Sequence, residues 1–434
     1  MASVVSKARD LFAVQHMRRA QPIKVDGLHR RLFGQGKLRK SVLTLFGTRP
    51  EVIKLAAVIH ALEQNCASIR TINVASGQHS DLLYPFVEMF GIRVDSDLRL
   101  MTLDQDPSAL CGRIFAEVER IIDREKPDLI LVQGDTTTAL AGALAGRRRG
   151  VPVGHVEAGL RSGNILSPYP EEMNRRLITQ LTTYHFAPTD RNRDALLSEG
   201  ICEEAIFVTG NPIVDALQMV LRTNKPFCDP GLLEKIANRK CIVLTTHRRE
   251  SFGRILAENL RVLCRFVRDH DDVVLVFPVH PNPNVSGPAK EICADNPRVV
   301  ISEPLQYQDF IHLLARSWLI VSDSGGIQEE VPSLGKPLLI LRENTERTEC
   351  IEAGVARLVG GRPEHLMAML EEAHREGSWV DSVHLVPNPF GSGYSAEHIV
   401  QHLVRLLETA QPGLEVQDLV SSSVPQSSPK GFND

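Results

Sequence analysis

The sequence has no long apolar run. Its longest aliphatic stretches, at 129–132 and 273–276, last a few residues each, whereas a bilayer-crossing helix needs about 20. No transmembrane segment is expected. Paired cysteines are missing too: the eight cysteines, at 66, 111, 202, 228, 241, 264, 293 and 350, contain no CxxC. That argues against a disulfide framework or a thiolate zinc site and reads as reduced thiols in a cytoplasmic protein. Positive charge is not in excess, since 49 Lys+Arg against 53 Asp+Glu leave −4. No global field therefore draws the chain to nucleic acid or an anionic membrane, although a small anion could bind locally. No GxGxxG follows the first expected strand, and the histidines lack metal-ligand spacing, so neither a dinucleotide fingerprint nor a metal site is expected.

What is present is enough apolar material for two or three cores: 434 residues, 43% hydrophobic and 24% charged. Charge is uneven along the chain. Residues 1–40 carry ten Lys/Arg and two Asp, a net +8, which leaves −12 for the other 394. This segment reads as a solvated basic extension; its composition is also compatible with a transit peptide. The Ser/Pro-rich stretch 411–434 buries little and is expected to be disordered. Between them, short β-branched or aliphatic runs alternate with helix-length segments, the pattern of parallel βαβ units. Strands are expected at 42–46, 71–75, 129–133, 153–156 and 185–187, then at 241–245, 273–279, 299–301, 319–322 and 338–341. The fold class is α/β, with two Rossmann-like doubly wound domains facing across a cleft, at 41–210 and 211–385, a linker near 207–215 and a C-terminal helix in 386–410.

Two strand-to-helix turns suit phosphate. Gly47-Thr48-Arg49-Pro50-Glu51 leaves the first strand through a glycine and enters a helix with proline in its first turn, which puts Arg49 beside a helix N-terminus. Ser322-Asp323-Ser324-Gly325-Gly326-Ile327-Gln328-Glu329-Glu330 does the same in the second half, with Glu330 one turn on to accept from a ribose diol. Taken singly, the first also reads as a plain Gly-Pro turn and the second as a helix capped by Ser324.

Three carboxylates lie at or just beyond the carboxyl ends of expected strands: Asp135, Glu157 and Glu171. Strand ends in a doubly wound sheet face the crevice, so the three can converge, and clustered carboxylates suit proton transfer near neutral pH. The simpler readings are a helix N-cap for Asp135, a turn charge for Glu157 and a first-turn charge for Glu171. His247 and His280 end strands on the opposite wall, where His247 with Arg248 can balance phosphate charge or act as an acid.

These motifs, together with Gly154-His155-Val156-Glu157-Ala158-Gly159-Leu160-Arg161, Pro170-Glu171-Glu172-Met173-Asn174-Arg175 and His247-Arg248-Arg249-Glu250, resemble in order and spacing the non-hydrolysing UDP-N-acetylglucosamine 2-epimerases. The resemblance runs from about Ser41 to Leu407 and includes Asn388-Pro389-Phe390-Gly391. It implies a glycosyltransferase-B-type arrangement and a cytoplasmic homodimer serving polysaccharide biosynthesis. The implied reaction interconverts UDP-N-acetylglucosamine and UDP-N-acetylmannosamine without metal or nicotinamide, by loss of the C2 proton, elimination of UDP to 2-acetamidoglucal and re-addition. Asp135, Glu157, Glu171 and His247 match the family's catalytic positions; which acid removes the proton and which returns it stays open. Arg49, Lys54, His280, Ser324, Gly325, Gly326, Glu330 and Arg347 match substrate-binding positions, and Gln78, Gln105 and Arg248 match a regulatory UDP-sugar site. The alternatives are an epimerase of a related UDP-diacetamido sugar or a glycosyltransferase of the same fold.

Overall fold

The computed structural model describes residues 39–78, 80–101, 106–223, 227–246 and 252–409. The expected disordered tail, and all of the basic extension but its last two residues, lie outside the described residues; Lys40 is already the first residue of a strand. The first sheet comprises β1 (Lys40–Phe46), β2 (Ile69–Ala75), β3 (Ser96–Asp97), β4 (Leu129–Gln133), β5 (Val153–Val156), β6 (Tyr184–Ala187) and β7 (Ile206–Val208), ordered β3-β2-β1-β4-β5-β6-β7. The second comprises β8 (Lys240–Thr245), β9 (Val273–Pro278), β10 (Val299–Ser302), β11 (Leu319–Ser322), β12 (Leu338–Ile340) and β13 (Ala356–Leu358), ordered β10-β9-β8-β11-β12-β13. All pairings between these strands are parallel. Helices cover both faces, so central strands such as β4 are buried at every residue and read as unbroken apolar runs.

The ten expected strands are all present. Three others, β3, β7 and β13, stand at sheet edges and are two or three residues long, too short to leave a periodic signal. In place of the expected linker, the chain completes the first sheet with β7 and then forms the helix Pro212–Leu221, whose apolar side is buried. Asn211 starts that helix, its side chain accepting from the Ile213 amide at 3.1 Å.

The C-terminal helix Ser395–Thr409 returns to the first half, packing on the helices Arg49–Gln64 and Pro212–Leu221. The return is fixed by polar groups at its start. Asp215 accepts from the Ala396 amide at 3.0 Å and the Ser395 amide at 3.3 Å, and Asn211 N donates to Phe390 O at 2.8 Å. The Asn388-Pro389-Phe390-Gly391 run thus serves to bring the chain back across. Each sheet has one point where order reverses, between β1 and β4 and between β8 and β11, and ligands of doubly wound folds bind at such points.

Candidate active site

The loops at both switch points, with the segment after β5, carry the described residues picked out by the motifs. After β1 the chain turns at Gly47, where a Cβ would collide with the hydroxyls of Ser76 and Thr138, so only glycine fits. Thr48 precedes the helix Arg49–Gln64, with Pro50 in its first turn. Arg49 is exposed and stands over the Phe86 ring, 5.8 Å from its centroid, and Phe86 in turn meets Tyr307 of the second half at 5.3 Å.

Asp135 follows β4 through Gly134, which holds φ +72°. It is not a helix cap: Thr136 caps the helix Thr137–Arg148, accepting from Ala139 N at 3.0 Å. The Asp135 carboxylate is gripped by Arg175 through Nε at 2.8 Å and Nη2 at 2.7 Å, and Asn174 donates to its backbone oxygen. Glu157 follows β5 with φ +67°, left-handed backbone that a non-glycine residue adopts at a cost. Its buried carboxylate takes Lys54 Nζ on one oxygen and Gln133 Nε2 on the other. Burial pushes the Glu157 carboxyl above its ordinary range, and Lys54 opposes that push. Glu171 opens the helix Glu171–Leu181, and its buried Oε2 has no hydrogen-bond partner among the described residues. A cation thus faces each of the first two acids directly, Arg175 at Asp135 and Lys54 at Glu157.

In the second half, Ser324 precedes the helix Gly325–Leu334 and makes no capping hydrogen bond with its side chain. A Cβ on Gly325 would lie 2.9 Å from Arg347 Nη1, so the glycine lets the guanidinium approach. Adjacent residues Glu329 and Glu330 have opposite electrostatics. Burial would raise Glu329, but Arg347 at 2.5 Å and Lys54 at 2.7 Å outweigh it and hold the carboxyl at about 2. Glu330 is pushed up to about 7 by burial, against the hydrogen bond donated by Tyr307 at 2.8 Å and the charge of Arg49. Lys54 is held above its ordinary value: burial works against it, but Glu157 and Glu329 prevail. The two halves thus share one buried chain of charges, Glu157–Lys54–Glu329–Arg347–Glu346, with the Gln133 amide on Glu157 at one end and Arg342 beside Glu346 at 3.2 Å at the other.

A family model described as UDP-N-acetylglucosamine 2-epimerase matches residues 60–404. This chain belongs to that family. It is 40% identical over 375 residues to the UDP-N-acetylglucosamine 2-epimerase of Escherichia coli K12, covering 83% of this chain and 98% of that protein. Among solved structures it resembles a putative UDP-N-acetylglucosamine 2-epimerase from Listeria monocytogenes, with TM-score 0.80, 37% identity and coverage of 86% and 98%. It also resembles the UDP-GlcNAc 2-epimerase from Neisseria meningitidis bound to UDP-GlcNAc, with TM-score 0.77, 37% identity and coverage of 84% and 100%. Likeness to Acinetobacter baumannii MurG, at 14% identity and TM-score 0.52, covers 86% and 100% and bears on fold alone. The arrangement is of the glycosyltransferase-B type.

In this epimerase-family chain the residues expected to line the site fall as follows. Arg49, Asp135, Ser324, Gly325, Gly326 and Glu330 sit on switch-point loops or the helices that leave them, whereas Glu157 follows the neighbouring strand β5 and Glu171 opens the helix after it. Lys54 and Arg347 lie inside the buried charge chain. Gln78 is beside the Gly47 turn, accepting from Thr138 Oγ1 at 2.8 Å, and exposed His280 accepts from Asn282 N at 3.2 Å through Nδ1. Gln105, His247 and Arg248 lie outside the described residues. Sequence reasoning gave no role to Glu51, Gln133, Arg175, Tyr307, Glu329 or Glu346. Glu51, Arg175 and Glu329 stood within the quoted motifs, and Glu329 and Glu346 stand next to the chosen Glu330 and Arg347.

Proposed function

We propose that the chain is a non-hydrolysing UDP-N-acetylglucosamine 2-epimerase, an isomerase interconverting that sugar nucleotide and UDP-N-acetylmannosamine. The observation that carries the reading is the buried Glu157 carboxylate, set on strained backbone between Lys54 and Gln133 in the switch-point crevice. A carboxylate so placed is a proton carrier whose charge state depends on what displaces or screens Lys54.

In the proposed reaction one of Asp135, Glu157 and Glu171 takes the proton from C2. The electron pair left behind forms the C1–C2 double bond as the C1–O bond to UDP breaks, giving 2-acetamidoglucal. UDP then re-forms the bond at C1 while C2 receives a proton on its other face. Two opposed faces call for two carriers, and the Glu171 oxygen, buried and without a partner among the described residues, supports it as one of them. Arg49, the Ser324 hydroxyl and the amides of Gly325 and Gly326 at a helix start would hold the departing diphosphate, since backbone N–H groups and the helix dipole favour anions there, while the Ser324 amide itself donates to Ser322 Oγ at 3.0 Å. Glu330 would accept from the ribose, and His247 completes the proposed catalytic set.

We read the enzyme as a cytoplasmic homodimer. What supports self-association is exposed apolar surface on two packed helices, at Leu144 and Leu177, and on the loop before the second, at Ile165, Leu166 and Tyr169. The test of function is a proton NMR time course with UDP-N-acetylglucosamine in D2O. Expected is UDP-N-acetylmannosamine carrying deuterium at C2. Release of UDP with free N-acetylmannosamine would make the chain a hydrolase, and sugar transfer without C2 exchange would make it a transferase.

A further inference from the structure

Glu51 lies one helical turn ahead of Lys54, is completely buried, and touches neither of the cations in the charge chain. Its two oxygens serve different loops. Oε2 accepts from Gly47 N at 2.9 Å, Thr48 N at 2.7 Å and Thr48 Oγ1 at 2.8 Å, all in the turn that presents Arg49. Oε1 accepts from Thr136 Oγ1 at 2.6 Å, in the residue that follows Asp135 and caps the next helix. The turn assigned to the diphosphate and the loop assigned to proton transfer are therefore joined through one carboxylate.

We propose that Glu51 is a positioning residue that sets Asp135 relative to Arg49 by bridging the Gly47–Arg49 turn and the Thr136 hydroxyl; this rests on the epimerase reading above. Four donors converging on an acid without a cation are a costly arrangement. Burial pushes the carboxyl up to about 7 even though all four hydrogen bonds pull it down. A simple helix-start glutamate needs only the donors of its own turn; the bond to Thr136, eighty-five positions away, adds nothing to capping its own helix.

Two variants of the full chain test it. In Glu51→Gln the single amide oxygen stays with the Gly47 and Thr48 amides, leaving the –NH2 facing Thr136, whose hydroxyl loses its acceptor and would have to turn round to accept, beside the Ala139 amide it already takes. The expected result is a kcat about 10- to 100-fold lower, as for a misplacement near 1 Å, with KM and UDP affinity unchanged. Thr136→Val should lower kcat in the same way, Thr136→Ser should restore it, and the Glu51→Gln/Thr136→Val double variant should be no worse than the poorer single. A purely structural role would instead lower the melting temperature and leave kcat per folded molecule unchanged, which overturns the proposal. If Glu51→Gln does not fold, the Val and Ser variants at 136 decide. Amide hydrogen exchange over residues 134–139 gives a readout independent of turnover: faster exchange in Glu51→Gln supports the bridge, and unchanged exchange overturns it. A wild-type chain inert towards UDP-N-acetylglucosamine would sink the functional reading while leaving that exchange result to judge Glu51.

Discussion

Lys54, from the first helix of the first half, places its ammonium 2.7 Å from Glu329 of the second half while also contacting Glu157. One buried cation therefore serves two acids, one from each half, only when the halves are together, and the acid proposed for proton transfer is one of them. Desolvation makes each charge expensive, so the arrangement depends on every partner being present.

Lys54→Met should leave Glu157 and Glu329 buried without their shared cation. Removing one member of a buried pair costs about 3–5 kcal/mol, more than repacking an apolar chain of similar length returns. Urea unfolding followed by circular dichroism should show a loss of that order. A midpoint equal to the wild type would mean that the two carboxylates are neutral in the folded protein and that Lys54 holds neither.

Glu157→Gln retains shape and removes the proton carrier. UDP binding by calorimetry should persist, whereas epimerisation and C2 deuterium exchange should fall by about 10²–10⁴-fold, the usual worth of a positioned acid or base. Because the amide oxygen can still accept from Lys54 and the –NH2 can donate to Gln133 once that amide turns over, the fold should survive the change. Turnover close to wild type would remove Glu157 from the chemistry.

The sheets were legible because buried parallel strands are unbroken apolar runs, as at 129–133, and the switch-point loops because glycine, proline and charge cluster there. Arg49, Asp135, Glu157 and Glu330 could be chosen on those grounds together with the family resemblance. Their partners could not. Nothing local in the sequence says that Lys54 reaches Glu329, 275 positions on, or that Glu51 reaches Thr136, since such pairings are created by the stacking of strands and the meeting of halves. The adjacent acids Glu329 and Glu330 make the point sharply. They are chemically alike in sequence, yet one is held at about 2 by Arg347 and Lys54 and the other rises to about 7 beside Tyr307. Edge strands such as Ser96–Asp97 were hidden for another reason, being too short for any pattern.

Tyr307→Phe tests the ribose end of the site. The hydroxyl donates to Glu330 at 2.8 Å and counteracts the burial that raises its carboxyl. Without it Glu330 should be more fully protonated at neutral pH and a poorer acceptor for a diol. One lost hydrogen bond of about 1–1.5 kcal/mol corresponds to roughly tenfold weaker binding. KM and the dissociation constant for UDP should rise by that factor with kcat unchanged, the mark of an interaction made equally before and during the chemistry. A fall in kcat at constant KM would place Tyr307 in the reaction itself.

His155 and His185 face one another in register on β5 and β6, both buried, and each has an Nδ1 without a partner among the described residues. Burial, aided by nearby positive charge, lowers His155 to about 4 against a hydrogen bond to Gly134 O, and burial together with His155 lowers His185 to about 3. The unfolded chain protonates these rings near 6.5 and the folded one does not, so their contribution is complete above 6.5 and is lost as pH falls towards 4. Glu51 and Glu330, raised to about 7, act in the opposite sense: their contribution is complete below about 4.5 and is lost as pH rises through 7. Because these slopes oppose each other, the histidine effect is best read as a difference between proteins. For His185→Leu, the stability of the wild type relative to the variant should fall by about 1.6 kcal/mol between pH 6.5 and 5, the slope approaching about 1.4 kcal/mol per pH unit once the unfolded ring is fully protonated. Unfolding free energies measured at both pH values check this. A difference that stays constant would mean that His185 is charged in the fold or titrates alike in both states.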